Sequence, residues 1–281
     1  MRRFHIVVNE DNDRGLKVTG EIVSYIRERG LDITYESIIR VDDYGKELMS
    51  EARDAECILV LGGDGTFIQV AGKMAGSDIP LIGINLGTVG YLAEVEKDNI
   101  FPTIDRLIDG DFEIEERMML EGKDMDGKET APLYALNDIV IARHGTLRAI
   151  NYEIYVNGKL LNTYNADGII ISTPTGSTGY NLSAGGPIVE PVADLILVNP
   201  ICPHTLNTRA IVLSAEDEVS VKVIGGKFIH DPEADVSFDG GKNKHLRSND
   251  TVTVRKASVK TRIIRLSKES FLDILGRKMR V

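Results

Sequence analysis

Along the first part of the chain, short apolar runs alternate with stretches whose apolar residues recur every third or fourth position. Residues 4–8, 57–61 and 79–85 are runs that suit buried strands, and residues 31–39 carry a weaker version of the same pattern. Between them, Leu16, Thr19, Ile22, Val23 and Ile26 mark one face of a helix ending near Gly30. Further helices are expected from Asp42 through Ala55, after residue 61 to about Gly76, and over residues 99–108. Strand and helix in alternation predict a parallel sheet with covering helices, an α/β N-terminal domain.

After about Phe112 the rhythm shortens. Strands are expected over residues 135–142, 152–156, 168–172, 195–198, 210–213, 218–224, 236–238, 251–254 and 261–266. Asn157-Gly158 and Asp239-Gly240 have the composition of hairpin turns. This region reads as an all-β domain, a β-sandwich. An amphipathic tail, 268–278, carries Phe271, Leu272, Ile274 and Leu275. The expected organisation is residues 1–112, 113–266 and a tail, 267–281, that returns to pack on the first domain.

A chain of 281 residues has room for two cores. Its net charge of −10 argues against nucleic acid as a partner. No apolar run approaches a membrane span, and the start reads as a first strand, not a signal peptide. Cys57 and Cys202 are expected as reduced thiols in a cytoplasmic protein. The five histidines show no ligand spacing, so no protein-held metal is expected. Met118-Met119 reads as core, and His204 as a structural hydrogen bonder.

The candidate chemistry starts at Leu61-Gly62-Gly63-Asp64-Gly65-Thr66, where a buried strand runs out into three glycines and one acid. Glycines let the backbone approach a ligand, and turn N–H groups at a helix start favour phosphate oxygens. A carboxylate there is electrostatically costly and needs a reason. It could accept a proton from an attacking hydroxyl, hold a metal ion, or cap the helix. The dinucleotide fingerprint fails at Ile68, which stands where its third glycine belongs, and the P-loop pattern fails at Phe67 and Met74.

A second glycine-rich run, residues 85–92, ends the 79–85 strand on the same sheet edge, which suggests a phosphate-rich ligand. Asn137-Asp138 pairs a carboxamide with a carboxylate and could hold ribose hydroxyls and a base edge. Residues 165–181 are dense in hydroxyls and glycines, and Tyr180 could stack on a base. Thr175 replaces the first glycine of a hydrolase nucleophile elbow, so Ser177 carries no sign of activation.

Together these runs resemble the NAD kinase family over nearly the whole chain. The pieces that match are Gly62-Gly63-Asp64-Gly65-Thr66, residues 85–92, Asn137-Asp138, Asp167-Gly168 through Tyr180, Pro203-His204-Thr205-Leu206 and Asp239-Gly240. The first motif is shared with diacylglycerol-type lipid kinases and 6-phosphofructokinases; the segment 167–180 is far more specific.

The resemblance implies a Rossmann-like N-terminal domain and a β-sandwich C-terminal domain. It implies transfer of the ATP γ-phosphate to the 2′-hydroxyl of the adenosine ribose of NAD. A divalent cation, usually Mg, would ride mainly on the ATP phosphates. Homodimers or homotetramers would complete each NAD site between subunits. By position, Asp64 resembles the proton acceptor, with Gly65 beside it at the phosphates. Asn137 and Asp138 resemble the pair that holds the adenosine, and Asp167 resembles the acid at the nicotinamide end. Thr175, Thr178, Gly179, Tyr180, Asn181, Leu182 and Ser183 resemble the loop around the adenine.

The departures are Asp138 for a common Glu, Gly179 for Ala, Tyr91 for Phe, Asn165 at an often basic position, and Gly241 where Gln is frequent. A lipid kinase would need an apolar acceptor site, against which residues 167–180 argue. A noncatalytic NAD-binding regulator would bind NAD without turnover, against which Asp64 argues.

Overall fold

The computed structural model describes residues 1–38, 52–87, 90–124, 133–145, 148–205, 209–225, 231–241, 243–267 and 269–279. The chain divides into two compact units, Met1–Glu116 with Thr261–Val281, and Arg117–Lys260. Among the described residues no helix is long and apolar enough to cross a membrane.

The first unit is built on parallel strands β1 (Arg3–Asn9), β2 (Asp32–Ile38), β3 (Cys57–Leu61) and β4 (Leu81–Asn85), adjacent in the order β4-β3-β1-β2. Every residue of β3 and β4 is buried, as expected where helices cover both faces of a parallel sheet. Helix α1 (Lys17–Glu28) buries Ile22, Val23 and Ile26, and a later helix, Ile100–Asp109, buries Ile104 and Leu107 in the same core. Helix α2 (Asp64–Lys73) buries Phe67 and Val70. The expected helix ending at Ala55 lies mostly outside the described residues. Its last part is a turn, closed by Ala55 N–H donating to the Ala52 carbonyl.

The second unit is two antiparallel sheets over one core, with Ile139 and Ile169 of one sheet packed in a cluster with Tyr152, Ile154 and Val221 of the other. The first carries β9 (Ile150–Val156) between β10 (Lys159–Ala166) and β14 (Val219–Ile224). The second runs β13-β12-β11-β8-β15-β16. Here β8 is Asp138–Arg143, β11 Gly168–Ser172, β12 Leu195–Ile201, β13 Ile211–Ser214, β15 Ala234–Phe238 and β16 Asn243–Leu246. Met118 and Met119 are buried, as read from sequence.

Two strand expectations need correction. The run 135–142 is broken into β7 (Leu133–Ala135) and β8, because the backbone at 136–138 turns to bond the Asp239 side chain. The runs 251–254 and 261–266 are one strand, β17 (Thr251–Arg265). Charged residues between the two runs are paired: Arg255 with Glu121, and Lys256 with Asp194 and Glu216. The strands β5 (Val95–Glu96), β6 (Glu113–Asp124), β10 and β16 were not singled out by pattern.

In the first unit, Glu94 accepts the N–H groups of Leu266 and Ser267, and Arg106 donates to the Leu266 carbonyl. The last helix, Phe271–Lys278, starts at a capping box between Ser270 and Asp273.

Helix α1 has no capping side chain of its own, since Leu16 stands at its N-cap in the left-handed region (φ 51°). Asp13 acts in its place. It is buried, and its carboxylate accepts Val18 N–H at 3.0 Å and Thr19 N–H and hydroxyl at 2.8 and 2.7 Å. Burial opposes its ionisation, but these bonds outweigh it and hold Asp13 below the usual carboxylate range. Asp13→Ala should cost about 1–3 kcal/mol in urea unfolding at neutral pH, the usual cost of orphaning buried donors. The deficit should shrink as pH falls below about 4, because a carboxylate with a lowered folded value contributes above its unfolded value and loses that contribution in acid.

Candidate active site

The glycine turn of the first unit is held by its own neighbour strand. Gly62 N–H donates to the Ile84 carbonyl of β4, and α2 begins directly at Asp64 with Gly63 as an N-cap that offers no side chain. Asp64 therefore does not cap its helix. Its Oδ2 accepts Tyr91 N–H at 2.6 Å, and its Oδ1 accepts Leu92 and Ala93 N–H at 3.0 and 3.1 Å. The two glycine-rich runs, on adjacent strands β3 and β4, are thus tied together by one carboxylate. Gly90 is required for this, since a Cβ there would run into the Asp64 carboxylate. Thr88 and Val89, in the same run, lie outside the described residues.

A carboxylate oxygen has two acceptor positions. Both on Oδ1 are filled by N–H groups, and one on Oδ2 is filled. Among the described residues, one acceptor position on Oδ2 is left, suited to a hydroxyl proton. Asp64 is half-buried and Gly65 exposed. The Lys278 ammonium lies 3.6 Å from the centroid of the Tyr91 ring. Burial lowers its pKa and the charge of Asp64 works the other way.

In the second unit the Asp239-Gly240 turn does more than reverse the chain. Asp239 Oδ1 accepts Asn137 and Asp138 N–H at 2.8 and 3.0 Å, and Oδ2 accepts Leu136 N–H at 2.6 Å. Thr173 locks the other side: its hydroxyl donates to the Leu136 carbonyl at 2.6 Å and accepts Gly176 N–H at 3.0 Å. Gly176 has no room for a side chain, because a Cβ would meet the Asn137 carbonyl. Asn137-Asp138 is therefore held rigidly from two sides. Burial pushes Asp138 up to about 6. It also pushes Asp239 up to about 7, with the Asp138 charge adding to the shift and the backbone bonds opposing it. The Asn137 Oδ1 is buried without a hydrogen-bond partner, an acceptor turned toward no protein donor.

The loop after β11 is a one-turn 3₁₀ helix, Thr175–Thr178, followed by the short helix Tyr180–Ser183. Its residues divide into two groups. Thr175, Ser177 and Asn181 are buried. Arg117 donates to the Thr175 hydroxyl, and Asn181 donates to the Ser177 and Pro187 carbonyls while Asn199 donates to it. Ser177 is bonded to Val189 through both N–H and carbonyl, so it is a brace, not a nucleophile. Tyr180, Leu182 and Ser183 are exposed, and Thr178 and Gly179 half-buried. Burial raises the Tyr180 hydroxyl, with the charges of Cys202, Asp138 and Asp167 acting alike. Gly179 lies close to Asn137: a Cβ there would stand 3.2 Å from its Nδ2.

Asp167 is half-buried, and its Oδ1 accepts from Arg143 Nε at 2.7 Å. Asn165 donates to Asn151 across the β9–β10 pair, and Gly241 N–H donates to the Phe238 carbonyl. His204 is exposed. The structure thus brings Asn137, Asp138, Asp167 and the 175–183 loop together in one unit, and Asp64 and Gly65 together in the other. Sequence reasoning missed Arg143, Arg117, Asn199 and Lys278, and gave Asp239 no role beyond a turn and a piece of the family resemblance. The place of Asp239-Gly240, directly after a strand, gave no hint of its partners a hundred residues earlier. His144 and His245, which show no ligand spacing in sequence, meet in the fold with their rings 5.0 Å apart.

Residues 4–112 match the ATP-NAD kinase N-terminal domain, and residues 136–266 match the ATP-NAD kinase C-terminal domain. The chain belongs to the ATP-NAD kinase family. It is 43% identical to an NAD kinase of Agathobacter rectalis over 99% of both chains, and 38% identical to one of Lachnoclostridium phytofermentans over 99% of both. In fold it is similar to a yeast NADH kinase complexed with NADH, with TM-score 0.80 and 21% identity over 100% of this chain and 88% of that one. It is similar also to an NAD kinase from Archaeoglobus fulgidus in complex with ATP, with TM-score 0.79 and 24% identity over 99% of each. An α/β N-terminal unit and an all-β C-terminal unit are the family architecture.

The two raised carboxyls make a pH signature for the second unit. Asp138 and Asp239 stay protonated in the folded chain above 3.8, where the unfolded chain ionises. The folded state then holds more protons, so their contribution to stability is full below the unfolded value and falls as pH rises through about 6 and about 7. Urea unfolding followed from pH 4.5 to pH 7.5, a range chosen as roughly that window, should show this decline. Asp239→Asn should flatten it; an unchanged slope would contradict the assignment.

Proposed function

We propose that the chain transfers the γ-phosphate of ATP to the 2′-hydroxyl of the adenosine ribose of NAD, giving NADP and ADP. The observation that carries this reading is the Asp64 carboxylate, fixed by three backbone N–H groups at a glycine turn and left with one acceptor position. The relatives that share its length are NAD kinases.

In the proposed reaction the ribose oxygen bonds to the γ-phosphorus, the bond from that phosphorus to the β–γ bridging oxygen breaks, and the hydroxyl proton passes to Asp64 Oδ2. A ribose hydroxyl is a poor nucleophile, so a positioned base contributes by accepting that proton. The remaining requirements are position and charge neutralisation. The N–H groups of the first turn of α2, with Gly65 among them, have no partners within the helix and suit phosphate oxygens.

A divalent cation, Mg in our reading, fits this site as a passenger of the nucleotide. Asp64 is the one acid of the turn, and its single remaining lone pair does not make a protein cage. Held on the ATP phosphates, the cation would supply charge neutralisation.

We assign the choice of hydroxyl to Asn137 and Asp138. The unpartnered Asn137 Oδ1 accepts from the adenosine end of NAD, and Asp138 accepts from the ribose hydroxyls. Tyr180 lies against the adenine, with Thr178, Gly179, Leu182 and Ser183 around it. Thr175 and Asn181 support the loop from beneath, through Arg117 and Asn199. Asp167, oriented by Arg143, faces the nicotinamide end of NAD across a boundary between subunits of a homodimer or homotetramer. The two free cysteines agree with a cytoplasmic setting.

Purified protein with NAD, ATP and Mg should generate NADP, detected by an NADP-specific dehydrogenase. Asp64→Asn keeps the shape of the side chain and removes the base, and should lower kcat by about 10²–10⁴ with NAD still bound. Turnover within about threefold of wild type would be smaller than any positioned base supplies and would remove Asp64 as proton acceptor. Sedimentation of the active protein should show a dimer or larger. A fully active monomer would end the shared-site reading.

A further inference from the structure

His144, Asp235 and His245 come from three separate stretches of chain and meet on one face of the second unit's sheet. Asp235 on β15 and His245 on β16 are directly paired across the strands, so their side chains share a face. His144 follows the last residue of β8, and its N–H donates to the Glu233 carbonyl beside β15. The two imidazoles approach the two oxygens of one carboxylate: His144 Nδ1 lies 2.7 Å from Asp235 Oδ2, and His245 Nδ1 lies 3.1 Å from Oδ1. The ligand atoms of all three lie within 4.8 Å of one another. The rings stand nearly edge to face, at 79°, so both Nδ1 atoms converge without stacking.

We propose that these three side chains bind a divalent cation of the zinc class. Two imidazoles and a carboxylate form the donor set of Zn²⁺ and its first-row neighbours, whereas Mg²⁺ and Ca²⁺ prefer oxygen alone. Tetrahedral bonds of about 2.0–2.1 Å place ligand atoms roughly 3.3 Å apart. The two imidazole–carboxylate separations, 2.7 and 3.1 Å, fall short of that by roughly 0.6 Å at most. The side chains are exposed enough to adjust, at 50%, 31% and 40% for His144, Asp235 and His245.

A further contact fits the same reading. Glu233 Oε1 lies 3.4 Å from His245 Nε2, the ring nitrogen that faces away from Asp235. Metal-bound imidazoles generally donate their second N–H to such a carboxylate, which fixes the tautomer and the ring. Water would complete the coordination. The ion would pin β8, β15 and β16 together at the base of the hairpin whose far end carries Asp239. This proposal is independent of the kinase reading and places no ion at Asp64.

The test uses untagged, chelator-treated full-length protein titrated with Co²⁺, with its visible d–d absorption as the readout, then with Zn²⁺ as competitor. One Co²⁺ per chain should bind, Zn²⁺ should displace it, and excess Mg²⁺ should not. His144→Gln and His245→Gln, singly, should each weaken binding at least tenfold, and the double variant should abolish the absorption. Glu233→Gln should weaken it by about 10–100-fold, as loss of an outer hydrogen bond does at other sites. Thermal melts of each metal-free variant establish folding, and the single variants serve if the double does not fold. No absorption with wild type, equal affinity in the histidine variants, or displacement by Mg²⁺ would overturn the proposal.

Discussion

A carboxylate that accepts three backbone N–H groups from a neighbouring loop is the constraint on which the candidate residues of each unit depend. Asp64 does this for residues 91–93 and Asp239 for residues 136–138. In each case a segment that could not satisfy its N–H groups within a helix or strand is given a fixed shape by one side chain. Unpaired buried N–H groups are costly, so these loops have few alternative conformations once the acid is in place. The same bonds fix the Asp64 side chain beside a glycine turn suited to phosphate.

The two acids solve opposite problems. Asp64 stays half-exposed and keeps a lone pair for chemistry. Asp239 is drawn inward far enough that burial pushes it up to about 7, so its cost is accepted for the sake of Asn137 and Asp138. Glycine makes both clamps possible by absence of a side chain, at residue 90 in one and residue 176 in the other. What looked in sequence like generic loop glycine is a matter of clearance around a particular oxygen.

The parts of the fold legible in sequence were those decided by local burial. Strand β3 was readable to the residue because all of it is buried between helices, and β11 because all of it is buried in the sandwich. Strand β10 was not, because its first five residues are exposed and carry no apolar alternation. The long β17 read as two pieces because Arg255 and Lys256 look like a break, and only distant acids remove it. In the candidate site, the residues whose type is unusual for their place were visible: Asp64, Asn137-Asp138, Tyr180. Partners set by long-range pairing were not, as with Arg143 on Asp167, Asn199 on Asn181, and the meeting of His144 with His245. Such pairs depend on strand order, which no local pattern encodes.

The N-cap of α2 has a wider implication. Gly63 has the extended backbone (φ −93°, ψ −175°) that a capping serine or aspartate adopts, and open space where its Cβ would be. A capping side chain there would stabilise the helix by about a few tenths of a kcal/mol relative to glycine. It would also occupy the N–H groups that the turn otherwise presents to solvent. The fold thus forgoes an available gain in stability at the helix start where we propose that phosphate oxygens bind. Thermostabilising changes commonly include helix caps, and on the proposed function a cap here would trade against ligand binding.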